Sequence, residues 1–187
     1  LNMSGGTINQ TGNRISLGAY GGGSGTINMS GGTLNANAIV MGDSQNGTTN
    51  SGVSTFNQTG GTVNMQGGEA RFGKNGDAVY NVGGGDSTAL LSVNPTLSIT
   101  NAADQAVGKI NLSYAAHDST LNILSNGVVH ANSISMDSVN LAGDSPTDTA
   151  VLNLYEGGSL VLEGNWAGAF GLADGAEINI SGGQIIW

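Results

Sequence analysis

The chain has 187 residues, enough for one domain, with 33 Gly, only 2 Pro, no Cys and 9% charged side chains, against about 25% in ordinary globular domains. Thirteen acidic residues against Arg14, Arg71, Lys74 and Lys109 give a net charge of −9. Such a surface excludes nucleic acid and disfavours anionic membranes and polyanionic polysaccharides. The missing Cys exclude disulfides and thiolate metal sites, and no apolar run reaches 18 residues.

The first elements are two short phrases, Leu1-Asn2-Met3 and Ser4-Gly5-Gly6-Thr7-Ile8-Asn9. They return as Thr26-Ile27-Asn28-Met29 with Ser30-Gly31-Gly32-Thr33-Leu34-Asn35, and again as Thr55-Phe56-Asn57-Gln58 with Thr59-Gly60-Gly61-Thr62-Val63-Asn64. A repeat of roughly 24–30 residues marks a solenoid. Within it the apolar residues alternate, as strands require: Ile27 and Met29 share one side, Thr26 and Asn28 the other. Gly31-Gly32 breaks the strand, Leu34 begins a second, and Ala38–Met41 supplies a third. Three strands per unit imply a triangular coil. Gly5-Gly6, Gly31-Gly32 and Gly60-Gly61 are the expected corners, because Gly accepts positive φ without a Cβ clash. Loops of different length, Gly21–Gly25, Gly42–Ser54 and Gly73–Ala78, are expected at the third corner.

From residue 82 the phrases loosen. Short strands are still expected at Leu90–Val93, Leu97–Thr100, Leu112–Tyr114, Leu121–Leu124, Val128–Ala131, Ile134–Met136, Val139–Leu141 and Leu160–Leu162. The apolar-Asn pair recurs at Tyr80-Asn81, Ile110-Asn111, Leu152-Asn153 and Ile178-Asn179, with an extra copy at Leu121-Asn122 in the longest interval. The expected fold is a single all-β domain over residues 1–187, a right-handed parallel β-helix of six to eight coils. Residues 1–81 form its regular part, 82–176 looser coils, and 177–187 a terminal partial repeat. Ile27, Phe56, Tyr80, Ile110, Leu152 and Ile178 would line one interior column, and Ile8, Leu34 and Val63 another.

Alternation places Asn28, Asn57, Asn81, Asn111, Asn153 and Asn179 on the outer side. A stack of such amides can form a hydrogen-bonded ladder along the axis; a binding row for sugars or ice is the alternative. Rows of Thr (Thr7, Thr33 and Thr62; Thr26 and Thr55) suit ice binding, but they lapse after residue 62. Seven N-x-[ST] sequons occur, and Asn46, in an expected loop, is the candidate glycosylation site.

The sequence offers no catalytic residue, cofactor or metal site. Asp43, Asp77, Asp86, Asp104, Asp144, Asp148 and Asp174 sit at turn positions. Glu69, Arg71, Lys74 and Asp77 read as a surface salt-bridge group, and His130 stands alone. His117-Asp118 beside Tyr114 is the best acid/base arrangement. Gly83-Gly84-Gly85-Asp86 resembles a calcium-binding repeat that works only in tandem, and it occurs once.

The Gly-Gly-Thr phrases resemble repeats of large exported bacterial proteins, among them autotransporter-passenger-like β-helices and proteins with a PEP-CTERM sorting tail. The resemblance is close over residues 1–81, loose over 82–176, and returns at 177–183. It implies a secreted or surface-attached scaffold. The chain opens in mid-phrase at Leu1 without an initiator Met or signal peptide, as expected of a processed product or fragment.

The leading expectation is therefore a non-enzymatic extracellular structural solenoid, assembling end to end with copies of itself into a filament, surface layer or matrix. Leu1-Asn2-Met3-Ser4-Gly5-Gly6 and Ile178-Asn179-Ile180-Ser181-Gly182-Gly183 place one phrase at both ends, and open strand edges invite such pairing. The alternative is a carbohydrate-binding or adhesin module using the Asn/Thr side or loops with Tyr20, Trp166 and Phe170. A glycan-degrading enzyme and an ice-binding protein rank below both.

Overall fold

A computed structural model of the chain describes residues 1–19, 23–43, 52–93, 108–113, 117–136, 148–163, 170–172 and 175–187, without the side chains of residues 68, 69 and 170. All regular structure in these residues is β, and every strand pairing is parallel.

Three faces wind around one core. The first stacks β1 (Asn2–Met3), β4 (Thr26–Met29), β6 (Ser54–Gln58), β8 (Ala78–Val82), β11 (Ser119–Ile123), β14 (Ala150–Tyr155) and β17 (Ala176–Ser181). The second stacks β2 (Thr7–Asn9), the first halves of β5 (Thr33–Met41) and β7 (Gly61–Phe72), then β9 (Ala89–Val93), β12 (Gly127–Ala131), β15 (Ser159–Leu162) and β18 (Gln184–Ile186). The third stacks β3 (Ile15–Leu17), the second halves of β5 and β7, then β10 (Lys109–Leu112), β13 (Ser133–Met136) and β16 (Phe170–Leu172). Among the described residues, six coils have all three strands and a seventh has two. The molecule is a parallel β-helix with three strands per coil, as the sequence predicts.

β5 and β7 run unbroken around the second corner, with the register shifting between Ala36 and Ala38. The expected Leu112–Tyr114 strand ends at Leu112, because Ser113 turns with φ of 58°. The expected strands Leu97–Thr100 and Val139–Leu141 lie outside the described residues.

Like residues stack inside, as expected of in-register coils. On the first face Ile27, Phe56, Tyr80, Leu121, Leu152 and Ile178 form one column. Leu121 replaces the expected Ile110, which stands on the third face between Ala70 and Ile134. Ile8, Leu34 and Val63 stack as expected and continue through Leu91, Val129, Leu160 and Ile185. The Phe56 and Tyr80 rings stack with centroids 4.5 Å apart, and Phe72 packs on Tyr80 at 5.3 Å. Buried Gln58 interrupts the neighbouring aliphatic column. It accepts from the Tyr80 hydroxyl at 3.0 Å and donates to the carbonyls of Gly61 and Leu90, so no amide atom is stranded in the core.

The Gly pairs divide their work. Gly6, Gly32 and Gly61 take φ of 77°, 89° and 79°, where a side chain is strained. Gly31 and Gly60 do not, yet a Cβ there would stand 2.8 and 2.6 Å from the carbonyl oxygens of Ser4 and Ser30. The first Gly is needed because consecutive coils nearly touch, the second because the chain turns.

Candidate functional site

The outer side of the first face carries an amide ladder seven residues long: Asn2, Asn28, Asn57, Asn81, Asn122, Asn153 and Asn179. Each Nδ2 donates to the Oδ1 of the preceding coil at 2.8–3.0 Å. In-register parallel pairing brings the amides together, since equivalent residues then repeat at about 4.8 Å. The ladder is therefore a directed chain.

Asn28, Asn57, Asn81, Asn153 and Asn179 occupy the expected places, but Asn111 does not. Asn111 lies on the third face between Arg71 and Ser135 and is buried; Asn122, from the extra phrase, takes its rung. The Ile110-Asn111 phrase belongs to β10, the third-face strand that follows second-face β9 in the same coil. The pattern of an isolated apolar-Asn pair cannot tell one face from another. A second ladder joins Asn9, Asn35 and Asn64 at 2.7 and 2.9 Å. It was legible as the last letter of the Gly-Gly-Thr phrase. It ends where Ser92, His130 and Val161 follow.

Beside the main ladder runs a column of Thr26, Thr55, Val79, Thr120, Val151 and Glu177. The Thr row on this face resumes at Thr120 instead of lapsing, and Val keeps the β-branched shape between. The row on the second face does lapse, passing from Thr62 to Leu90. Glu177 is the one charged residue in these two columns.

Charged residues meet elsewhere. Asp43, fully buried, receives Arg14 Nε and Lys74 Nζ at 2.7 Å each and the Ser16 hydroxyl at 2.7 Å. Burial pushes its carboxyl up, but the hydrogen bonds from Lys74 and Ser16 and the charges of Lys74 and Arg14 outweigh this and hold it below its usual 3.8. The staple joins the first three coils. Of the expected group of Glu69, Arg71, Lys74 and Asp77, Lys74 thus pairs with Asp43, while the Glu69 side chain lies outside the described residues.

His117 and Asp118 do not form an acid/base pair. Asp118 Oδ1 accepts from the Thr149 amide and hydroxyl at 2.8 and 2.9 Å, while His117 Nδ1 lies 3.7 Å from Asp77. His130 has Glu163 at 3.5 Å, so it does not stand alone. Among the described residues no three His, Asp or Glu are grouped to hold a metal. Gly83 and Gly84, the start of the calcium-like phrase, are corner residues with positive φ. Asn46, Tyr20, Tyr114, Trp166, Asp104, Asp144 and Asp174 lie outside the described residues, as does the side chain of Phe170.

A shallow groove of about 350 Å³ runs along the first corner, lined by Asn2, Ser4, Asn28, Ser30, Asn57 and Thr59 over Met3 and Met29. Leu172, Ile180, Ile186 and Trp187 are exposed on the last two coils and Leu1 on the first. The described residues thus present one regular polar face. No known protein family, no curated protein and no solved structure matches the chain.

Proposed function

We propose that the chain is a non-enzymatic structural solenoid of the cell exterior, a subunit of a filament, surface layer or matrix that grows by stacking coils end to end. The observation that carries this reading is the directed amide ladder, which repeats one hydrogen bond from coil to coil and which any further in-register coil would continue. Open β edges are templates for further pairing, and a head-to-tail contact between unlike edges propagates instead of closing. The extracellular setting rests on the likeness of the Gly-Gly-Thr phrases to exported bacterial repeats. Purified chain should give filaments or sheets by electron microscopy and a scattering mass that rises with concentration. A monomer at millimolar concentration, with no assemblies on the grid, would sink the proposal.

A second reading, a carbohydrate-binding or adhesin module, is favoured by the corner groove with its Asn, Ser and Thr rim above Met3 and Met29. A glycan array would test it: retention of a neutral glycan, lost on Asn28→Ala, supports it, and an empty array disposes of it.

A further inference from the structure

Resting on the second reading above, we infer that the ligand of the corner groove is a neutral, linear, extended glycan that lies along the solenoid axis. It runs between the amide ladder and the row of residues two places further along each coil, with the Tyr155 ring as its stacking platform.

The coil register builds this row. Two places after the ladder Asn stand Ser30, Thr59, Gly83, Leu124 and Tyr155 on coils two to six. The pairing continues past the strand ends: the amides of Ser30, Thr59, Gly83 and Leu124 donate at 2.8 Å to the carbonyls of Met3, Met29, Gln58 and Val82 on the coil before. Leu154 stands opposite Ile123, which brings Tyr155 onto the same line as Leu124. Two rows therefore run side by side down the first corner. The groove lies where Ser30 and Thr59 face Asn28 and Asn57.

The ladder side offers chemistry suited to hydroxyls. Each inner amide uses one of its two N–H groups and one of its two lone pairs on the neighbouring rungs, so it keeps a donor and an acceptor for an outside group. A sugar hydroxyl both donates and accepts, and so can use both. A carboxylate or phosphate only accepts, and would set its charge against the Oδ1 row. The coil step of about 4.8 Å is close to the length of one pyranose unit in an extended chain, so successive sugars meet successive rungs.

The other row changes character along its length. It begins with hydroxyls at Ser30 and Thr59 and is open at Gly83. It then becomes apolar: Leu124 leans over Gly84, and Tyr155 is 41% exposed. An exposed ring beside a row of amides suits a sugar, whose C–H face packs on the ring while its hydroxyls reach Asn153. From the rung of Ser30 to that of Tyr155 is four coil steps, about 19 Å, so a ligand that uses both ends must be an oligomer. Neither row holds a charged residue between Asn28 and Tyr155. Arg14 and Lys74 are engaged by Asp43, and Arg71 and Lys109 stand on third-face strands. With a net charge of −9, an anionic glycan is repelled and meets no cation in the groove.

Calorimetric titration of the full chain with the bioses and hexaoses of cellulose, xylan, mannan and chitin tests this. At least one hexaose should bind, about tenfold or more tighter than its biose. Tyr155→Ala at one end of the line and Asn28→Ala at the other, both compared where they remain folded by circular dichroism, should each weaken that hexaose about tenfold. Tyr155→Phe, which keeps the ring, should retain binding. Hexaoses that fail to bind, bind no tighter than the bioses, or bind regardless of Tyr155 overturn this inference. The carbohydrate reading itself then stands if a glycan array still retains a short, branched or anionic glycan, and an empty array overturns both.

Discussion

Asn81 shows what one letter of the repeat does. Its amide donates to Asn57 and accepts from Asn122, so Asn81→Ala removes two hydrogen bonds, each with a net value of about 0.5–1.5 kcal/mol. We expect a loss of about 1–2 kcal/mol by denaturant melting, and less for Asn9→Ala, where one ladder bond is lost. Asp43 behaves differently because it is a buried charge with three donors. Its folded-state pKa is depressed, so its stabilisation is complete above its usual 3.8 and fades as the pH falls through the folded value. Thermal melts from pH 7 to pH 2 should show a fall in stability below about pH 4 that Asp43→Asn flattens, at the cost of a lower plateau at neutral pH. An unchanged acid limb in that variant would contradict the staple. The sequence placed Asp43 beside Gly42 as an ordinary turn acid, since Arg14 and Lys74 approach it only across coils.

At the scale of elements, corners and columns decide stability. Gly60→Ala puts a Cβ 2.6 Å from the Ser30 carbonyl oxygen, and overpacking of this kind costs about 1–3 kcal/mol. The same change at Gly5 should cost almost nothing, and the contrast between two copies of one phrase is the check. Tyr80→Phe keeps the ring stack on Phe56 but leaves the buried Gln58 Oε1 without its donor, a loss of about 1–3 kcal/mol. The parallel strands of the first 81 residues were legible because alternation and Gly spacing agree there. They were less legible beyond, where Ile110-Asn111 spells the first-face phrase on a third-face strand. Local pattern records which way a side chain points, while face identity depends on how much chain was spent at each corner.

For the whole molecule, charge sets the conditions of assembly. A net charge of −9 makes copies repel. Raising ionic strength from 0.01 to 0.15 M shortens the Debye length from about 30 to 8 Å. The critical concentration should therefore fall with added salt, as read by light scattering; a rise would mean that ion pairs hold the copies together. The sequence by itself determined the period, the alternation, the corners and hence a three-sided parallel solenoid, because each is a local property that repeats along the chain. Only the tertiary structure decided which Asn stand in the ladder, that Asp43 ties three coils, and that every rung of the ladder donates in the same direction. Those depend on the register between coils, which accumulates the length of every intervening loop and is written in no single repeat.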